Sequence, residues 1–80
     1  MFYVYLLRSD GHPDKTYVGF TADLKKRFKA HNAGQSVHTA KYKPWKLIAY
    51  LAFASEEKAR NFETYLKSHS GMAFASKRLW

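Results

Sequence analysis

The chain contains no cysteine. A disulfide framework and a thiolate metal site are both excluded, so the fold must rest on packing alone. Acid is scarce as well: six Asp and Glu stand against fourteen Lys and Arg, a formal net charge of +8. So basic a small chain suits a polyanion, nucleic acid ahead of an anionic membrane surface, unless the charge serves solubility alone. Long apolar runs are missing. The run from Phe2 to Leu7 is far too short to span a bilayer, and neither a basic segment ahead of it nor small cleavage-type residues after it suggest a leader, which reads as a cytoplasmic protein. There is no glycine-rich phosphate loop, no His-Glu-x-x-His pair and no serine in a nucleophile elbow. No repeat, low-complexity tract or linker divides the chain, so residues 1–80 read as one domain with a modest core.

Apolar and aromatic residues are abundant and ordered. Residues 2–8 are rich in β-formers and read as a strand buried on both faces or nearly so. Asp10 to Asp14 is dense in turn residues, and Thr16 to Thr21 is a second strand, so the two form an antiparallel hairpin. Thr21 suits the N-cap of a helix that runs to about Asn32 and ends at Gly34. Residues 35–44 are polar and basic. Lys46 to Phe53, beginning near Trp45, reads as a third strand. Ser55 can cap a second helix with Glu56 and Glu57 in its first turn, Ser70-Gly71 breaks it, and a short last helix passes through Phe74 to Trp80. The order β-β-α-β-α-α predicts an α+β fold: a small three-stranded, mainly antiparallel sheet flanked by helices.

Five of the six acids have ordinary local reasons, in a turn or at a helix start. Glu63 does not. It shares a mid-helix stripe with Ala59, Phe62 and Leu66, where a carboxylate is costly unless it pairs with a basic side chain or holds a metal. Arg27 and His31 stand one turn apart on the stripe of Leu24 and Phe28. An arginine there can simply snorkel and a histidine can be structural. Equally, Arg offers a fork for phosphate and His moves protons near neutral pH. Tyr3 and Tyr5 share a face of the first strand, and Tyr17 on the second can approach them. These tyrosines are either cross-strand packing or a functional cluster, and Gly19 would leave room for a ligand near the backbone. Lys41, Lys43 and Lys46 alternate with Tyr42 and Trp45, a pattern suited to tracking a backbone and stacking on bases.

Tyr3-Val4-Tyr5, followed by Tyr17-Val18-Gly19 twelve residues after Tyr5, resembles the paired motif of the GIY-YIG nucleases. Tyr3 stands in place of the name-giving glycine. Phe20 to Arg27 with His31-Asn32 is similar to the family's first helix, Phe62 to Lys67 to its glutamate segment, and Lys43 to Ile48 to the third strand of small stand-alone members. The resemblance covers nearly the whole chain. It implies phosphodiester hydrolysis with Mg2+ or Mn2+, on DNA that is branched, damaged or single-stranded, or else a basic nucleic-acid-binding module that is non-catalytic or depends on a partner. By position Glu63 would bind the metal and Arg27 would neutralise charge on the phosphate. Tyr17 or Tyr5 would orient or activate the water with help from His31. A tyrosine base needs a nearby cation, for which the metal, Arg27 and Lys15 are candidates. Lys15, Lys41, Lys43 and Lys46 would contact nucleic acid. Larger members carry domains that select the target, so here activity alone would be weakly selective, or a protein partner would supply that choice.

Overall fold

A computed structural model describes residues 1–80. Three strands, β1 (Phe2–Ser9), β2 (Thr16–Thr21) and β3 (Trp45–Phe53), form one antiparallel sheet in the order β2-β1-β3. Helix α1 (Leu24–Asn32) follows the hairpin, and α2 (Glu56–Leu66) and α3 (His69–Arg78) follow β3. The α+β architecture is the one the sequence predicts, with all three strands antiparallel.

The central strand explains its own composition. Val4, Tyr5, Leu6 and Leu7 are all buried, because a strand with neighbours on both edges and helices on both faces has no solvent side. Its alternation splits the interior in two. Val4 and Leu6 join Ala59 and Leu66 of α2 and Ala75 of α3 in one cluster. Tyr5 and Leu7 join Trp45 in the other, against which Leu24 and Phe28 of α1 pack. The stacked layers are therefore α1, sheet, and the α2–α3 pair.

Two boundaries differ from expectation. Asp23, not Thr21, caps α1: its side chain accepts from the Lys26 N–H at 3.1 Å. Thr21 is still in β2, opposite Tyr3, and its hydroxyl accepts from the Asp23 N–H instead. Both residue types cap well, so the ladder decides between them. The break between α2 and α3 falls at Lys67–Ser68, with Ser68 accepting from the Gly71 N–H. Ser70-Gly71 lies inside α3. A Cβ on Gly71 would sit 1.7 Å from the Tyr65 carbonyl oxygen, so this glycine permits the close crossing of the two helices and does not end one.

Gly34 does terminate α1, at φ +77°, donating its N–H to the His31 carbonyl. The polar segment that follows contains a short 3-10 turn at Ala40–Tyr42, which carried no sequence signal. Asn32, the last residue of α1, clamps the start of β3: its amide donates to the Trp45 carbonyl and its Oδ1 accepts the Trp45 N–H. That pair of bonds holds the helix end against the start of β3.

Candidate active site

The site lies on the α1 face of the sheet. Tyr5 is opposite Gly19 in the ladder, and Tyr17 is two residues away on the same face of β2. With no side chain on Gly19, the Tyr5 ring lies across the backbone there; a Cβ would come within 2.4 Å of its Cζ and Oη. The space left by this glycine is thus filled by Tyr5 and the edge of Tyr17, not kept for a ligand as the sequence suggested. The two rings are 6.2 Å apart.

His31 enters from α1. Its ring centre is 5.6 Å from that of Tyr5 and 5.1 Å from that of Tyr17. Its Nε2 is 2.8 Å from the Tyr5 hydroxyl and its Nδ1 is 2.7 Å from the Thr39 Oγ1. Tyr5, His31 and Thr39 are all buried, so a continuous polar chain runs through an otherwise apolar cluster with each group satisfied. Thr39 is fixed in turn, since its carbonyl accepts the Trp45 indole N–H at 2.8 Å. Sequence reasoning missed Thr39: a threonine inside a polar, aperiodic segment gives no sign of burial.

Burial and charge set the protonation of this chain. Burial raises the Tyr5 pKa well above the ordinary tyrosine value; Tyr17 and Glu63 raise it further, and the nearby positive charge of Arg27 only partly opposes them. Burial, then Arg27, lowers the His31 pKa from its ordinary value. Both groups are held neutral at physiological pH. Arg27 itself is exposed on α1 and makes no ion pair.

Glu63 lies on α2, and its negative charge adds to what holds the Tyr5 pKa up. Its side chain is 21% exposed and pairs with Lys67 one turn along, at 3.2 Å. The basic partner weighed in the sequence is therefore present, but an exposed pair of this kind is worth only about 0.3–0.5 kcal/mol and yields readily to a stronger cation. No group of three or more His, Asp or Glu side chains converges in this chain. A lone carboxylate does not suit metals that want several nitrogen or sulfur ligands. It does suit a hard ion such as magnesium, which keeps waters and takes phosphate oxygens.

The four predicted nucleic-acid lysines do not form one row. Lys15 and Lys41 flank Tyr42, their amines 5.4 and 5.6 Å from its ring centre, and His12 meets the same ring edge-on. Lys43 lies across Gly34 at the end of α1. Lys46 stands apart, paired in the ladder with Arg8 and 3.6 Å from Asp10. No helix is long and apolar enough to cross a membrane.

Comparison with known proteins agrees with this architecture. A family model described as the GIY-YIG catalytic domain matches residues 1–76. UPF0213 proteins of Streptococcus pyogenes serotype M5 (strain Manfredo) and serotype M12 (strain MGAS9429) are each 42% identical over 67 residues, 81% of this chain and 70% of theirs. The solution NMR structure of the UPF0213 protein BH0048 from Bacillus halodurans is similar at a TM-score of 0.56 and 31% identity, over 98% of this chain and 86% of that one. Since the match runs from β1 into α3 and takes in both tyrosine motifs, α1 and the Glu63 segment, the chain belongs to the GIY-YIG family, a family of nuclease-type domains.

Proposed function

We propose that the chain is a divalent-metal-dependent endonuclease that hydrolyses phosphodiester bonds in branched, damaged or single-stranded DNA. The observation that carries this reading is the meeting of Tyr5, Tyr17 and His31 above Gly19, with Arg27 one turn from His31 on α1.

Arg27, exposed and without an ion-pair partner, is free to engage the scissile phosphate with its planar fork and offset the charge that builds there. Tyr5 is a poor standing base, because burial disfavours its phenolate. Tyr17 is only half-buried and is the tyrosine that orients the attacking water. His31, kept neutral and buried with both ring nitrogens engaged, assists through Tyr5, whose hydroxyl it fixes while Thr39 holds its ring from the other side. Glu63, together with phosphate oxygens and waters, would hold the cation, which supplies charge neutralisation and acidifies bound water. Lys15 and Lys41 on Tyr42 offer a basic, stackable contact for the strand beyond the cut.

One observation favours a second reading, a binding module that is non-catalytic or acts only with a partner: Glu63 already has an ordinary helical partner in Lys67. Cleavage decides between the two. Labelled single-stranded, duplex and branched DNA, with an RNA control, is incubated with wild type and Glu63→Ala in magnesium, manganese or EDTA. The nuclease reading expects metal-dependent cutting that vanishes in the variant. Salt-sensitive binding by both proteins, with no cutting of any substrate, would replace it with the second reading.

A further inference from the structure

Beside the edge strand β2 the surface opens into a second feature. A groove of about 790 Å³ between β2 and α3 is lined by Tyr17, Lys67, Arg8 and Trp80, with Thr16 and Ser76 and several apolar side chains beside them. Its volume lies within the range, about 300–1,000 Å³, of clefts that hold small organic ligands. Three features define what it can take. No Asp or Glu residue lines it, whereas Arg8 and Lys67 do, the latter paired with Glu63. The Arg8 guanidinium lies against the Trp80 ring, 5.3 Å from its centre. The Arg8 Nε is buried and has no hydrogen-bond partner, the one such side-chain atom in the structure. A buried donor left without an acceptor is costly, so Arg8 is held at the groove without its full set of partners. Finally, the groove is joined to the site above: Tyr17 belongs to both, and Lys67 is the partner of Glu63.

We propose that this groove is a subsite for unpaired nucleotides flanking the scissile phosphate, with a base stacked beside Trp80 and a backbone phosphate on Arg8 and Lys67. The inference rests on the nuclease reading for the direction of the strand but not for its binding. Aromatic surface, cations and hydroxyls without acid are the chemistry of a nucleotide unit, since the base takes the ring and the phosphate takes the fork. A groove of this volume has room for about one or two nucleotides. Stacking on Trp80 needs a base freed from its pair, so the subsite takes flaps, gaps and single strands ahead of intact duplex.

The chain carries its own reporter. Of its two tryptophans, Trp45 is buried with its indole N–H bonded to Thr39, whereas Trp80 is partly exposed on the groove. Intrinsic fluorescence is titrated with oligothymidylate, oligouridylate and a duplex of equal length in EDTA, with anisotropy of labelled oligonucleotide as a second reading. Both single strands quench the wild type to saturation and the duplex binds at least about tenfold more weakly. Trp80→Leu abolishes the quench. Arg8→Gln weakens binding about tenfold, as does Ser76→Glu, which puts a negative charge into the groove from an exposed position on α3 and leaves the core untouched. Unchanged single-strand affinity in Ser76→Glu and Arg8→Gln, or binding with no quench of Trp80, overturns the proposal. The outcomes separate from those for the nuclease. If these variants bind normally while Glu63→Ala abolishes cutting, the subsite is wrong and the nuclease stands. If they lose binding while no substrate is ever cut, the subsite stands and the nuclease falls.

Discussion

Alternate residues of β1 feed two interiors of opposite chemistry. Val4 and Leu6 enter a cluster closed by Ala59, Leu66 and Ala75, with hydrocarbon on every side. Tyr5, on the other face, enters one that contains His31 and Thr39 and a run of hydrogen bonds. The first interior is held by volume, so its errors cost cavity energy. The second is held by matching of donors and acceptors, so its errors cost orphaned polar groups. One strand thus supplies a structural face that needs only the right bulk and a site face that needs particular atoms.

The largest effect belongs on the structural face. Leu6 is fully buried at its centre, and Leu6→Ala should destabilise by about 2–5 kcal/mol, a large share of what so small a domain has. Urea denaturation measures it. A loss below about 1 kcal/mol would mean that this face is not the tightly packed one. Next comes the site face. Thr39→Val keeps the size but takes the hydroxyl from His31 Nδ1 and should cost about 1–3 kcal/mol, whereas Thr39→Ser keeps the bond and should recover most of it. If valine and serine behave alike, the contrast between the faces fails, since shape alone would then support both.

These results bear on what could be read from the chain beforehand. The strands, the order of elements and the two helical stripes were legible, because periodicity and turn residues report on local structure and on burial. Tyr5, Tyr17 and His31 were legible as a group through their motif spacing. The Tyr5–His31–Thr39 chain was not, because Thr39 is brought in by a loop whose path is set by Asn32, Trp45 and the 3-10 turn. The role of Gly19 was misjudged for a related reason: the glycine signals a close approach, and only the register shows that a tyrosine of the neighbouring strand makes it. Gly71 looked like a helix breaker because sequence alone cannot show that Tyr65 crosses over it. The lysines differ from one another for the same cause. Alternation placed Lys41, Lys43 and Lys46 on one segment, while strand pairing set Lys46 opposite Arg8 and beside Asp10 and left Lys41 with Lys15 at Tyr42.

A smaller and more selective effect should appear with pH. The raised Tyr5 pKa means that its contribution to stability is intact below the unfolded value of about 10 and is lost as pH rises from there toward the folded value. The lowered His31 pKa works the other way: its contribution is present above about 6.5 and is lost as pH falls from there toward the folded value. The site face is therefore most stable between these limits, and the slope from Tyr5 alone is at most about 1.4 kcal/mol per pH unit. Subtracting the 295-nm titration of Tyr5→Phe from that of wild type should leave no ionisation step near pH 10. A step there would mean that Tyr5 is wetter than its burial implies, and would bring it back as a candidate base.

The smallest effect is the most informative about Glu63. Its carboxylate is partly exposed and held only by an i,i+4 pair with Lys67, so Glu63→Gln should change stability by less than about 0.5 kcal/mol in the absence of metal. Glutamine keeps the shape and the helix propensity and removes only the charge. Moreover, removing that charge relieves part of the repulsion that raises the Tyr5 pKa, so the Tyr5 ionisation should move down, toward its ordinary value. Near-zero cost in stability with a lowered Tyr5 ionisation describes a carboxylate whose charge is directed at the site and not at the fold. A cost of several kcal/mol would instead make the pair with Lys67 structural, tie α2 to the packing face of the molecule, and remove the main reason for assigning Glu63 to a metal.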